Sequence, residues 1–288
     1  MGREPGKRLD IRAWYPEARS VLVCAFAYPE PSGEARPGAG RVSNYAALPD
    51  YHEELRARMD GLADWVRARG GDARAFVDTS PVLERLYARL AGIAWLAKNT
   101  MAIAPRLGSY HFLAGLATTL ELEPDEPETD HCGSCRRCLD ACPTDAFPEP
   151  RVLDASRCVS YLTIENRGQI PEGLRAGVGD WVYGCDICQE VCPWNRFSKS
   201  GEVFPVLKES WLDLEELASL DEAAFKKRFA DSPMLRAKRR GLVRNALLAM
   251  GNSGDARHRA TLERYASDPD PILAEQARWS LSRLSAEN

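Results

Sequence analysis

The 288-residue sequence carries 42 acidic and 38 basic side chains, a net charge of −4 with neutral histidines, and is 44% apolar. That balance excludes a generally basic nucleic-acid-binding protein, the apolar content excludes disorder as the main state, and the length holds one large domain or two to three smaller ones. The longest apolar run, Val21 to Tyr28, is eight residues. A membrane helix needs about 20. The polar opening Met1-Gly-Arg-Glu-Pro5 holds no signal-peptide core, so a cytoplasmic protein without membrane contact is expected.

Residues 1–125 alternate strand and helix signals and read as an α/β domain with its own core. The run at 20–28 is strand-like, with Cys24 as a small buried thiol. Asp50 stands where an N-cap belongs, and Leu55, Met59, Leu62 and Val66 follow at helical spacing until Gly70-Gly71. A short strand at 74–78 ends in Asp78. Ser80 as N-cap and Pro81 at the first helical position then predict a helix to about Leu90. Apolar segments at 100–104 and 109–120 read as strands. The stretch 121–130 holds six acids, no bases and two prolines, and reads as a linker into a second module, 126–200.

Residues 201–288 give helix signals with almost no strand signal, so an all-α region is expected. Leu242–Met250 aligns with Leu273–Leu281 at an offset of 31, a period that suits stacked helical pairs of the HEAT type, with a plain helical cap as the alternative. Lys226 to Arg264 holds eleven Lys or Arg against three Asp or Glu, among them Lys238, Arg239, Arg240 and Arg244. A one-sided run of this kind suits a phosphate backbone; a solvated helix face is the competing reading.

Eight of the nine cysteines fall between residues 132 and 192. The first group, Cys132-Gly-Ser-Cys135-Arg-Arg-Cys138-Leu-Asp-Ala-Cys142-Pro143, has the spacing of bacterial ferredoxins, in which three thiolates grip one 4Fe-4S cube and the fourth ligates its neighbour. The second run, Cys185-Asp-Ile-Cys188-Gln-Glu-Val-Cys192-Pro193, lacks its first cysteine, and Cys158 can supply it. The crossing rule then gives Cys132, Cys135, Cys138 and Cys192 to one cluster and Cys158, Cys185, Cys188 and Cys142 to the other. Structural zinc is the competing assignment, although zinc needs neither the third close cysteine nor the trailing proline.

Asp78 stands at a strand end just before a helix, where α/β domains expose side chains to ligands; a helix-capping carboxylate is the plain alternative. The histidines are uninformative. Asp50-Tyr-His52 begins like the cobalamin loop that supplies a lower histidine ligand but lacks its glycine, Leu55 standing in that place.

With these motifs the sequence resembles the epoxyqueuosine reductase family, with a shortened N-terminus. The likeness rests on Asp78-Thr-Ser-Pro-Val-Leu-Glu-Arg85, Trp95-Leu-Ala-Lys-Asn-Thr100, the two cysteine runs, Cys158-Val-Ser-Tyr-Leu-Thr-Ile-Glu165 and Tyr183-Gly-Cys-Asp186. It implies an α/β cobalamin-binding domain, a ferredoxin-like two-cluster module and a helical tRNA-binding region. It also implies an oxidoreductase that turns epoxyqueuosine into queuosine at the tRNA wobble position. Electrons would come from an external low-potential donor through two 4Fe-4S clusters to cobalamin without a histidine lower ligand. Asp78 matches the family's proton donor, its pKa raised by burial against the corrin. Arg8, Asn99, Ser160, Cys185 and Asp186 match cobalamin contacts, Arg167 an RNA contact, and a monomer is expected.

Three features depart from the family pattern. Ile11 replaces a proline, Ala94 and Ala97 replace glycines beside Trp95, and Ser43-Asn44-Tyr45-Ala46 replaces an Arg-Tyr-Ala pattern. The alternatives are a ferredoxin-like electron carrier that has lost cobalamin, or a cytosolic corrinoid enzyme of the reductive dehalogenase kind.

Overall fold

The computed structural model describes residues 5–29, 35–197, 203–204 and 210–285. The strands among them are, in chain order, β1 Ser20–Ala27, β2 Ala39–Val42, β3 Ala73–Val77, β4 Trp95–Leu96, β5 Ala102–Ile103, β6 His111–Thr118, β7 Trp181–Tyr183 and β8 Trp211–Asp213.

β6 lies between β1 and β3 and pairs antiparallel with both, Ser20 opposite Thr118 on one side and Val77 opposite Ala114 on the other. The period of two in β3 divides its side chains between two cores. Ala73, Ala75 and Val77 pack with Leu55, Met59, Ala63 and Val66 of the helix Tyr51–Arg67, whereas Phe76 packs with Val82 and Ala88 of the segment leading into and through the helix Glu84–Leu90. Because both faces are covered, β6 is nearly continuously buried. Gly115 at its centre is required: a Cβ there would stand 2.2 Å from Leu22 O and 2.5 Å from the Phe76 ring. Burying each large apolar side chain of the helix contributes about 1.5–3 kcal/mol. Asp50 caps that helix as expected, accepting the His52 N–H at 3.0 Å.

The next helix differs from expectation. It begins at Glu84, after Leu83, and Ser80 makes no cap. Val82 is drawn into the core, so residues 78–83 form a loop instead of a first helical turn. Asp78, at φ 35°, turns the chain out of β3 in left-handed backbone. The strand expected over 100–104 is reduced to β5, paired with β4 as a hairpin.

A second sheet, ordered β7-β2-β8, takes one strand from each of the stretches 1–125, 126–200 and 201–288. β2 runs parallel to β7 and antiparallel to β8. β8 corrects the expectation of an all-α region from 201: three residues are too few to show a period, and they become a strand by pairing with β2. One core continues across the three stretches, with Val42, Val182, Tyr183 and Leu212 packed among Leu242, Ala246 and Leu273. The boundary expected at 200/201 lies outside the described residues.

The C-terminal region is built around the helix Lys238–Ser253, buried without a break from Leu242 to Gly251 and packed on the helix Pro271–Ser285. Gly251 permits that approach, since a Cβ would meet Ser280 Cβ at 2.6 Å. Among the described residues no helix is long and apolar enough to cross a membrane.

Candidate functional site

The clustered cysteines stand in two neighbouring groups. Cys132, Cys135, Cys138 and Cys192 line one cavity of about 110 Å³. Burial pushes the Cys138 thiol up to about 11, and the neighbouring Cys192, Cys132 and Cys135 add to it. In the other group, burial first, then the Asp186 charge, Cys158 and Cys142 push Cys185 to about 12, and Cys185 and Cys158 act likewise on Cys188. Cys138 also presses on Cys188, so the two groups abut. Such thiols are protonated until metal displaces the protons. Among the described residues, no group of three or more His, Cys, Asp or Glu side chains is arranged to hold a single metal ion. Four thiols around a shared cavity supply the donor set that a cube of iron and sulfur uses. Cys24 stays apart, half-buried against the core beneath the helix Tyr51–Arg67.

The β4–β5 hairpin is fastened to both groups. Trp95 Nε1 donates to Cys132 Sγ at 3.4 Å, and Lys98 Nζ donates to the carbonyls of Gly133 and Cys135 at 2.6 and 2.9 Å. Asn99 is 3% exposed, with Nδ2 on Cys188 O and Oδ1 accepting from Met101 N. Ala97 lines the thiol cavity and Ala94 is buried with Val23 and Phe76. Their methyls are thus taken up by protein packing.

Asp78 does not cap a helix. Its Oδ2 lies 3.1 Å from His52 Nε2 and accepts from the Tyr51 hydroxyl at 3.3 Å, while His52 Nδ1 lies 2.6 Å from Asp50 Oδ1. A carboxylate at each ring nitrogen favours the cationic form of the imidazole. The bond to Asp78 raises the His52 pKa, against the opposing effect of burial. The same bond, assisted by the charges of His52 and Arg236, lowers that of Asp78 below the ordinary carboxylate value. This corrects the expected upward shift: the hydrogen bond from His52 outweighs desolvation. Glu84 behaves in the opposite way, burial and then the Asp78 charge pushing it to about 8.

The residues expected at cobalamin divide. Arg8 keeps a buried Nε without a partner, Ser160 is half-buried on the first turn of the helix Val159–Ile164, and Cys185 belongs to the second thiol group. Asp186 is 1% exposed and accepts from Ser43 Oγ at 2.5 Å and Asn44 N at 2.7 Å. It therefore holds the Ser43–Ala46 segment in place. Other buried polar atoms lack partners: Glu84 Oε1 and His111 Nδ1, whose residues line a cavity of about 150 Å³ with Asp78, and Asn44 Nδ2, whose residue lines a cleft of about 1020 Å³ that reaches Cys192.

The basic residues divide as well. Lys238 and Arg240 are exposed, and Arg240 donates to Arg167 O at 3.1 Å and lies 3.7 Å from Asp270 Oδ2. Arg167 is exposed but donates to the carbonyls of Ile164, Ala237 and Arg236. Arg239 reaches Leu220 O at 2.5 Å. Arg244 corrects the expectation of an RNA contact: it is 1% exposed, and its guanidinium donates to the carbonyls of Leu162, Asn166 and Gly168.

Sequence reasoning passed over Tyr51, His52, Glu84 and Arg236. The first two were legible in one respect, since side chains at the start of a capped helix beside β3 face the end of that strand. Arg236, paired with Glu165 and acting on Asp78 from the C-terminal region, left no local signal.

Residues 131–195 match the 4Fe-4S double cluster binding domain model, and residues 8–79 match the model described as Epoxyqueuosine reductase QueG, DUF1730. An epoxyqueuosine reductase of Gloeobacter violaceus is 42% identical over 262 residues, 87% of this chain and 82% of that protein. One of Pseudomonas aeruginosa is 41% identical over 256 residues, 86% and 71% of the two chains. A crystal structure of epoxyqueuosine reductase with an epoxyqueuosine-modified tRNA-Tyr stem loop superposes with a TM-score of 0.90 at 34% identity, covering 97% of this chain and 77% of that one. A Bacillus subtilis enzyme with its catalytic aspartate loop swung out of the active site gives 0.90 at 33% identity, covering 98% and 78%. The chain belongs to the epoxyqueuosine reductase family and is an oxidoreductase with a 4Fe-4S double cluster domain.

Proposed function

We propose that this chain reduces the epoxide of epoxyqueuosine in a tRNA anticodon to the alkene of queuosine, with release of water. The observation that carries the reading is the hydrogen-bonded Asp50–His52–Asp78 cluster, joined in one fold to two abutting groups of four thiols. The reaction consumes two electrons and two protons, and these two features provide for each. The stem loop bound by a relative supports the substrate class.

Cys132, Cys135, Cys138 and Cys192 would hold one 4Fe-4S cluster and Cys142, Cys158, Cys185 and Cys188 the other, supplying single electrons at low potential from an external donor. Arg8, Ser160 and the chain around Cys185 would hold cobalamin, which supplies a strongly reducing cobalt centre. Arg8 Nε and Asn44 Nδ2 are buried without partners, and a polar group of a bound cofactor would relieve the cost of about 1–3 kcal/mol that each unpaired group carries.

Opening an epoxide places negative charge on an oxygen that leaves only when protonated. His52 stores a proton between two carboxylates, and Asp78 carries it toward the substrate. Tyr51, hydrogen-bonded to the same Oδ2, fixes the carboxylate's orientation. Asp78 sits on a loop with its side chain 43% exposed, suited to meeting a substrate delivered from solvent. Lys238 and Arg240 would meet the RNA phosphates.

Anaerobically reconstituted protein is expected to bind cobalamin with a base-off spectrum and to convert an epoxyqueuosine stem loop. Asp78→Asn should keep clusters and cobalamin but lose turnover by about 10²–10⁴-fold. Full activity in that variant would remove Asp78 from the mechanism. Absence of both corrinoid binding and conversion in the wild type would favour an electron carrier.

A further inference from the structure

The reduction takes up two protons, and the His52–Asp78 pair stores one. Glu84 is the other acid in the same cavity. Its Oε1 is buried without a hydrogen-bond partner, and its side chain lines the space shared with Asp78, Tyr51, Arg85 and His111. The backbone N–H of Asp78 is directed at the same carboxyl. Glu84 is therefore tied to the Asp78 loop on one side and open to the cavity on the other.

The surroundings keep Glu84 protonated. Ionised, it would place a second negative charge beside Asp78 with one oxygen lacking a donor, and burial and that repulsion push its pKa to about 8, against weaker pulls from the Asp78 amide, Arg85 and His52. Arg85 donates to Thr100 O and is itself discouraged from charging by burial. His111, on the same cavity wall, is kept neutral, burial holding its pKa to about 4. Tyr51 is kept neutral by burial and by the charge of Asp78.

We propose that Glu84 supplies, by way of Asp78, the second proton of the reduction; this rests on the reading of the chain as an epoxyqueuosine reductase. The epoxide oxygen takes the first proton, from His52 through Asp78, as its C–O bond opens. The resulting hydroxyl takes the second, from Glu84 through Asp78, and departs as water while the C=C bond forms with the two electrons from the external donor. Glu84 is left as a carboxylate and regains a proton from solvent. Once His52 is neutral, the strongest influence holding Asp78 low is gone, and the two carboxyl groups share the remaining proton. Glu84 thus acts through Asp78, as a positioned proton reserve.

The test uses holoenzyme carrying both clusters and cobalamin, in single-turnover conversion of an epoxyqueuosine stem loop, with infrared detection of the protonated-carboxyl C=O band. The wild-type rate should fall as pH rises through about 8. Glu84→Gln should be slower by about tenfold or more and lose the part of the alkaline fall centred near 8, keeping the part set by His52, with cluster and cobalamin spectra and stem-loop affinity retained. Glu84→Asp should restore the lost part. The infrared band should be present at neutral pH in the wild type and absent in Glu84→Gln. An unchanged rate and alkaline fall in Glu84→Gln, or conversion by a wild type that lacks the band, would overturn the proposal alone. A wild type that shows the band but converts no epoxyqueuosine would remove the functional reading, and the proton's destination with it.

Discussion

His52 and Asp78 illustrate how one hydrogen bond moves two groups in opposite directions. The bond raises the imidazole and lowers the carboxylate, so each partner favours the charged form of the other. Linkage gives the sign for stability. Asp78, depressed when folded, contributes above its ordinary value of 3.8, and that contribution is lost as pH falls through the folded value. His52 and Glu84, both raised, contribute fully below 6.5 and 4.5, and their contributions are lost as pH rises through the folded values, about 8 for Glu84. The unfolding temperature of the holoprotein is therefore expected to decline as pH rises from about 4.5 toward about 8, with His52 adding to the decline above 6.5, and the double variant His52→Gln/Glu84→Gln to flatten it. An equally steep decline in the double variant would exclude these two groups as its source. Asp78 was legible from its motif, but the direction of its pKa was not, because His52 comes from a separate helix.

Short helical turns recur in the cluster module, with Cys138 on Arg137–Asp140 and Cys188 on Ile187–Glu190, each followed by a Cys-Pro pair. The fourth thiol of each group comes from the other turn. Cys192→Ser should consequently disable the site of Cys132, Cys135 and Cys138, leaving about half the iron of the wild type, whereas Cys142→Ser should disable the other site. Distinct electron paramagnetic resonance signals in the two variants would confirm the exchange, and the same surviving signal in both would refute it. The expectation of this pairing comes from the ferredoxin-like spacing of the two cysteine runs, which is a local feature of the chain. The start of the helix at Glu84 was not readable for the opposite reason: Val82 burial, a tertiary contact, overrode the capping signal at Ser80–Pro81. Arg244 makes a similar point on the helix Lys238–Ser253. Arg244→Met should lower stability by about 3 kcal/mol or more, because the carbonyls of Leu162, Asn166 and Gly168 lose their buried donor. Denaturant unfolding of the holoprotein measures this, and a change near zero would mean that water replaces the guanidinium.

At the scale of the molecule, the three stretches are joined by the β7-β2-β8 sheet and one continuous core, so the Asp78 loop, the thiol groups and the basic helices hold fixed relations to each other. Arg236 crosses that arrangement, bringing charge from the C-terminal region to Asp78. The net charge of −4 conceals a local basic excess, of which Lys238 and Arg240 stay exposed. Replacing both with Ala should weaken stem-loop binding and reduce the slope of log affinity against log salt by about 1 for each phosphate no longer neutralised. An unaltered slope would place the RNA on a different face.

By itself the sequence determined the cysteine spacing, the capped helix after Asp50 and the family motifs, all features carried by residues close together in the chain. Tertiary structure decided which carboxyl groups hold protons and which basic side chains remain available. Those properties depend on burial and on partners from distant segments: His52 for Asp78, the Asp78 charge for Glu84, three backbone carbonyls for Arg244. The same composition therefore yields an ionised carboxylate at Asp78 and a protonated one at Glu84, two sides of one cavity that no local pattern distinguishes.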